Sequence, residues 1–187
     1  MKSTVVELDL LIRSFFEDPS EVGSFKPVDA SQVPSPSVEL LDHNRHMTVT
    51  VEKHHGGPVD VKVLEHHTDR DFYSRRIVLT RQSDQRVVMY GMVRMRLSAV
   101  ADDVRAEIES RKIPLGRVLI DHDVMREVQL RGLYEIRCGS ALAQQLGCAT
   151  DDVCYGRTAM IYCDGVPAIE LLEIVGGDGA SGPSCAE

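Results

Sequence analysis

The stretch Tyr73-Ser74-Arg75-Arg76-Ile77-Val78-Leu79-Thr80 reads as a strand with two unlike faces. Alternation puts Tyr73, Arg75, Ile77 and Leu79 on one side and Ser74, Arg76 and Thr80 on the other. The polar loop Arg81-Gln82-Ser83-Asp84-Gln85 follows, and a second apolar strand runs from Arg86 to Leu97. Two such runs joined by a short polar loop predict a hairpin, and a sheet that grows by hairpins is mainly antiparallel.

Working upstream, Met47, Val49 and Val51 alternate with Thr48, Thr50 and Glu52, which predicts a half-buried strand. His55-Gly56-Gly57-Pro58 then reads as a turn, and Val59, Val61 and Val63 resume the alternation, giving a β-hairpin. Val5 to Phe16 has helical spacing and ends at Asp18-Pro19, while Ser20 to Ser37 reads as a surface connection. Downstream, Ser98 is placed to cap a helix with Val100, Val104 and Ile108 on its apolar side, ending at Pro114. Leu115 to Ile120 reads as a second short helix. Val124 to Arg137 fits a strand better than a helix, and Ser140 to Leu146 forms a helix closed by Gly147. Tyr155 to Cys163 and Ala168 to Val175 form a last hairpin around Asp164-Gly165.

These elements predict one α+β domain over 1–187, with an N-terminal helix and connection over 1–45, a core over 46–175 and a flexible tail over 176–187. Acidic residues outnumber basic ones by 29 to 21, and the net charge of −8 disfavours nucleic acid as a partner. No apolar run approaches the ~20 residues that span a bilayer, and the N-terminus does not read as a signal peptide. A cytoplasmic chain with no membrane partner is expected. Cys138, Cys148, Cys154, Cys163 and Cys185 are odd in number and form no CxxC pair, so they read as reduced thiols. The histidine pairs His43 and His46, His54 and His55, and His66 and His67 read as solvated rather than as metal ligands. Neither a phosphate-binding glycine loop nor GxSxG is present. No metal or cofactor is expected.

Three charged side chains fall on apolar strand faces. Arg75 shares a face with Tyr73, Ile77 and Leu79, so its guanidinium points inward, where it needs an anionic partner and suits a carboxylate. Arg157 lies in line with Tyr155, Ala159 and Ile161. Glu173 alternates with Ile169, Leu171 and Val175, surroundings that raise a carboxyl pKa toward a useful acid–base range. Glu170, on the opposite face, has the apolar neighbours Ala168, Leu172 and Ile174, and pattern alone does not choose between the two glutamates.

From about Leu40 to Val175 the chain resembles the chorismate pyruvate-lyases, or 4-hydroxybenzoate synthases. Four segments carry the resemblance: Leu41 to Glu52 with Met47-Thr48; Tyr73-Ser74-Arg75-Arg76-Ile77-Val78-Leu79; Ile113-Pro114-Leu115-Gly116-Arg117-Val118-Leu119; and Tyr155-Gly156-Arg157 leading to Gly165-Val166-Pro167 and Glu173. The resemblance implies an antiparallel sheet with helices on one side and a buried ligand cavity. It places the carboxylate-binding arginine at Arg75, the catalytic glutamate at Glu173, and pocket-lining residues at Met47 and Leu115 with its neighbour Gly116. Arg157 is a second candidate for holding the substrate. The implied activity is a cofactor-independent carbon–oxygen lyase that eliminates pyruvate from chorismate and leaves 4-hydroxybenzoate. This sequence has Thr158-Ala159-Met160 where relatives carry an arginine-rich pattern.

Two other readings stand beside the enzyme. One is a lyase-like enzyme acting on another chorismate-derived aromatic acid. The other is a non-catalytic effector-binding module, since ligand domains of some bacterial transcription regulators are similar in fold. With only about 40 residues ahead of the matching region, too few for a helix-turn-helix domain, the enzyme is the expected function. The expected partner is a small-molecule aromatic acid, and oligomeric state is left open.

Overall fold

The computed structural model describes Val6 and residues 8–176. Seven strands form one sheet: β1 (Gly23–Val28), β2 (Val59–Asp69), β3 (Phe72–Arg81), β4 (Val87–Arg96), β5 (Arg126–Cys138), β6 (Val153–Cys163) and β7 (Val166–Val175). Their spatial order is β1-β5-β6-β7-β4-β3-β2, and every neighbouring pair is antiparallel. The helices are α1 (Leu8–Arg13), α2 (Ser37–Leu41), α3 (Met47–His55), α4 (Asp102–Ser110), α5 (Leu115–Asp121) and α6 (Ser140–Leu146).

Burial on both sides explains the near-continuous apolar runs of β4 and β7 at the centre of the sheet. On one face Tyr90, Met92, Leu172 and Ile174 pack against Leu11 and Ile12 of α1 and Leu142 and Leu146 of α6. On the other face Val93, Met95, Ile169 and Leu171 pack beneath Val104 and Ile108 of α4 and Val118 and Leu119 of α5. Further along that face Ile77, Leu79 and Met89 meet Leu40 and Leu41 of α2 and Met47 and Val51 of α3. The helical layer expected on one side is thus α2–α5, while α1 and α6 cover the second side.

The hairpin expected from Met47 to Val63 is corrected. Met47–His55 is the helix α3, with Met47, Thr48, Thr50 and Val51 buried and Val49 43% exposed, a one-sided pattern of period 3.6 rather than 2. Gly56 does not turn a hairpin. It takes φ 69° in the left-handed region and donates to the Glu52 carbonyl, as does Gly57, which closes the helix.

The connection from Ser20 to Ser37 also contains structure that the sequence did not signal. Strand β1 lies in it and, among the described residues, pairs only with β5, so Pro27 costs the sheet no bond on the outer edge. The N-cap of α4 is Ala101 rather than Ser98, which lies in a 3-10 turn over Leu97–Ala99. Val5 and the tail beyond Gly176 lie outside the described residues.

Candidate functional site

Residues opposite one another in an antiparallel sheet project to the same face. Arg157 stands opposite Glu173, Glu173 opposite Gly91, and Gly91 opposite Ile77, giving one row across β6, β7, β4 and β3. The next row is Ala159, Leu171, Val93 and Arg75. Because Gly91 has no side chain, the floor dips at the middle of the first row.

A slot lies over that dip. Its floor is Ile77, Leu79, Met89, Gly91, Val93 and Leu171, and its roof is the first turns of α3 and α5, with Met47, Thr48, Leu115 and Gly116. Gly116 lets the two helices approach: a Cβ there would stand 3.2 Å from His46 Cβ and 3.3 Å from Thr48 Oγ1. Its cavity volume is small, about 30 Å³. It is narrow and mostly apolar, a shape that accepts a flat organic group once its walls part.

Arg157 and Glu173 both line this slot. Arg157 is 0% exposed, and its Nε donates to Glu173 Oε2 at 2.7 Å. Nη1 donates to the carbonyls of His43 at 2.7 Å and Leu41 at 3.3 Å, and Nη2 donates to the Arg45 carbonyl at 3.0 Å. All three guanidinium nitrogens are therefore engaged, and they tie the segment between α2 and α3 to the sheet. Glu170 projects to the opposite face, where it accepts from Arg94 at 3.2 Å.

Arg75 is equally buried but differently bonded. It is 0% exposed and stands beside the slot, in the row of Val93 and Leu171 and roughly 12 Å from Glu173 by strand spacing. Its Nη1 makes a long 3.4 Å bond to the Ile108 carbonyl near the end of α4, while Nε and Nη2 have no partner among the described residues. The Tyr73 hydroxyl, next on the same face, interacts with the Arg75 side chain without reaching hydrogen-bond geometry. Burial holds the Arg75 guanidinium below its ordinary value and pushes the Tyr73 phenol up. Arg76 points the other way, donating to Glu65 at 3.1 Å and covering the Phe16 ring.

The structure thus brings Met47, Leu115, Gly116, Arg157 and Glu173 into one slot and sets Arg75 beside it. His43 and His46, expected to be solvated, are half-buried instead. His46 lines the slot and accepts from Arg126 Nε at 2.9 Å, and His43 Nδ1 lies 3.0 Å from Arg157 Nη1. Burial, reinforced by Arg157 and Arg45 at His43 and by Arg126 and Arg157 at His46, lowers both imidazoles to about 4. Their close spacing is visible in the sequence but not their burial, and no pattern marks Gly91 or Arg126, because these roles arise from elements distant in the chain. Among the described residues no three His, Cys, Asp or Glu side chains form a group that could hold a metal ion, and no helix is long and apolar enough to cross a membrane.

No family model and no curated protein matches the sequence. Among solved structures, PhnF from Mycobacterium smegmatis is similar, with a TM-score of 0.53 at 14% identity over 98% of this chain and 99% of that one. This chain has the chorismate lyase/UTRA-like fold. That fold is shared with the effector-binding domains of GntR-family regulators. The ligand-binding domain ascribed to such a regulator from Bordetella bronchiseptica aligns at TM-score 0.48 and 13% identity, over 64% of this chain and 86% of that domain. The "possible transcriptional regulator YydK" from Bacillus subtilis aligns at TM-score 0.47 and 12% identity over 69% of this chain, which spans 62% of that chain. The lyase resemblance of the sequence is therefore matched at the level of fold.

Proposed function

We propose that this chain binds a small organic carboxylate, an aromatic acid first among them, and holds it as an effector without converting it. Arg75 carries this reading. A fully buried guanidinium with two nitrogens unpartnered is costly in the free protein, and its planar fork is complementary to a carboxylate. The Tyr73 hydroxyl offers a further donor beside it. Val93, opposite Arg75, and Ile77, next on its strand face, both line the slot, so an acid held at Arg75 extends its ring toward the dip at Gly91.

Binding is favoured over elimination by the state of Glu173. The Oε2 of Glu173 is held by Arg157, itself occupied with the backbone of 41–45, which gives this carboxylate a structural task in the slot floor. The fold shared with effector-binding domains supports the same choice.

Calorimetry with 4-hydroxybenzoate and benzoate, beside incubation with chorismate, tests this. Saturable one-to-one binding of an aromatic acid with chorismate unchanged over hours is expected. Release of pyruvate from chorismate would restore the lyase reading. A folded protein that binds neither acid overturns the assignment of Arg75.

A further inference from the structure

On the sheet face away from the slot, three cysteine sulfurs form a chain. Cys138 Sγ lies 3.2 Å from Cys154 Sγ and 3.8 Å from Cys148 Sγ. Cys138 ends β5, Cys154 lies on the neighbouring β6, and Cys148 follows Gly147, the left-handed residue that closes α6. Cys138 and Cys154 are buried, whereas Cys148 is only half-buried, so a reagent in solution meets Cys148 first. The middle sulfur accepts from Cys148 and shares a hydrogen-bond contact with Cys154, and these contacts, Cys154 first, hold the Cys138 thiol below its ordinary value, while burial pushes Cys148 up to about 11. Cys163, also buried, makes no sulfur contact among the described residues and serves as an internal control.

We propose that Cys148 and Cys138 form a dithiol modification site for small-molecule disulfides, with Cys148 as the entering thiol and Cys138 as the resolving one. In the first step Cys148 Sγ attacks one sulfur of the external disulfide. That S–S bond breaks, and one small thiol leaves with the proton from Cys148. Cys138 Sγ then attacks Cys148 Sγ, the mixed S–S bond breaks, and the second small thiol leaves with the proton from Cys138. The protein loses two electrons and two protons, and one small disulfide becomes two thiols. Cys154 acts through Cys138 as a positioning residue. This site is independent of the carboxylate reading, because it uses the opposite face of the sheet.

The test exposes the full chain to excess glutathione disulfide at mildly alkaline pH, followed by acid quench, alkylation and peptide mapping. Trypsin releases Cys138 to Arg157 as one peptide, and cleavage before Asp151 or Asp152 separates Cys154 from the other two thiols. The expected product is a peptide holding Cys138 and Cys148, lighter by two hydrogens and closed to alkylation, with Cys154 and Cys163 still alkylated. Little glutathione adduct accumulates on Cys148, because slow entry at a high-pKa thiol is followed by fast closure. In Cys138→Ala the adduct persists, at least about tenfold above wild type. A stable adduct on Cys148 in the wild-type chain, or a link from either thiol to Cys154, overturns the assignment. The wild-type map decides this even if the variant does not fold.

Discussion

Arg157 on β6 and Glu173 on β7 face each other across the sheet at 2.7 Å, and the same guanidinium holds the carbonyls of Leu41, His43 and Arg45. One side chain therefore neutralises the carboxylate in the slot floor and fastens the chain that leads into the slot roof. Slot shape and ion pair are coupled. Arg75, whose charge is just as buried, has two guanidinium nitrogens without a hydrogen-bond partner among the described residues, and that contrast underlies the proposal that Arg75 rather than Arg157 holds the ligand.

Breaking the Arg157–Glu173 pair from one side leaves a buried charge. Arg157→Met is expected to destabilise the fold by about 3 to 5 kcal/mol in urea unfolding, while Arg157→Met with Glu173→Leu recovers much of the loss. A single variant as stable as wild type would show that the pair does not hold the segment in solution.

Arg75 should show the reverse signature. Arg75→Met removes an unpaired buried cation and is expected to leave the free protein as stable or more stable, while weakening aromatic-acid binding by roughly 1.5 to 3 kcal/mol. Arg76→Met, on the other face, should leave binding nearly unchanged. Equal losses at the two positions by calorimetry would contradict the geometry.

The dip at Gly91 sets the volume available to a ligand. A Cβ there meets Met89 Cε, the end of a flexible side chain, at 3.1 Å and Ile77 Cγ1, part of a stiffer β-branched one, at 3.3 Å, so Gly91→Ala should fold at a modest cost. Gly91→Leu should fill the slot and lower aromatic-acid affinity at least about tenfold, more than its effect on unfolding accounts for. Unimpaired binding in a folded Gly91→Leu protein would place the ligand elsewhere.

Acid should weaken the fold through His43 and His46. Their folded values of about 4 lie below the ordinary 6.5, so the unfolded chain takes up protons first as pH falls. The stability is complete above about 6.5 and is lost progressively as pH falls through 4. His46→Gln should flatten the slope of urea stability between those values by about 1 to 2 kcal/mol after allowance for solvent. An unchanged slope would mean that His46 is solvated.

Elements whose periodicity is local and unambiguous are legible in the chain alone. The two faces of β3, the last hairpin, α5 and α6 are set by neighbours two, three or four positions away, and with them the inward aim of Arg75, Arg157 and Glu173. The tertiary structure decided the rest. Met47-Thr48-Val49-Thr50-Val51 alternates well enough for a strand, and packing of Met47 and Val51 against Leu79 and Met89 selects the helix. Nor does any local pattern state that Arg157 meets Glu173 while Arg75 meets no carboxylate among the described residues. A charge finds its partner through strand register and through chain segments more than a hundred residues away, and those are properties of the folded sheet.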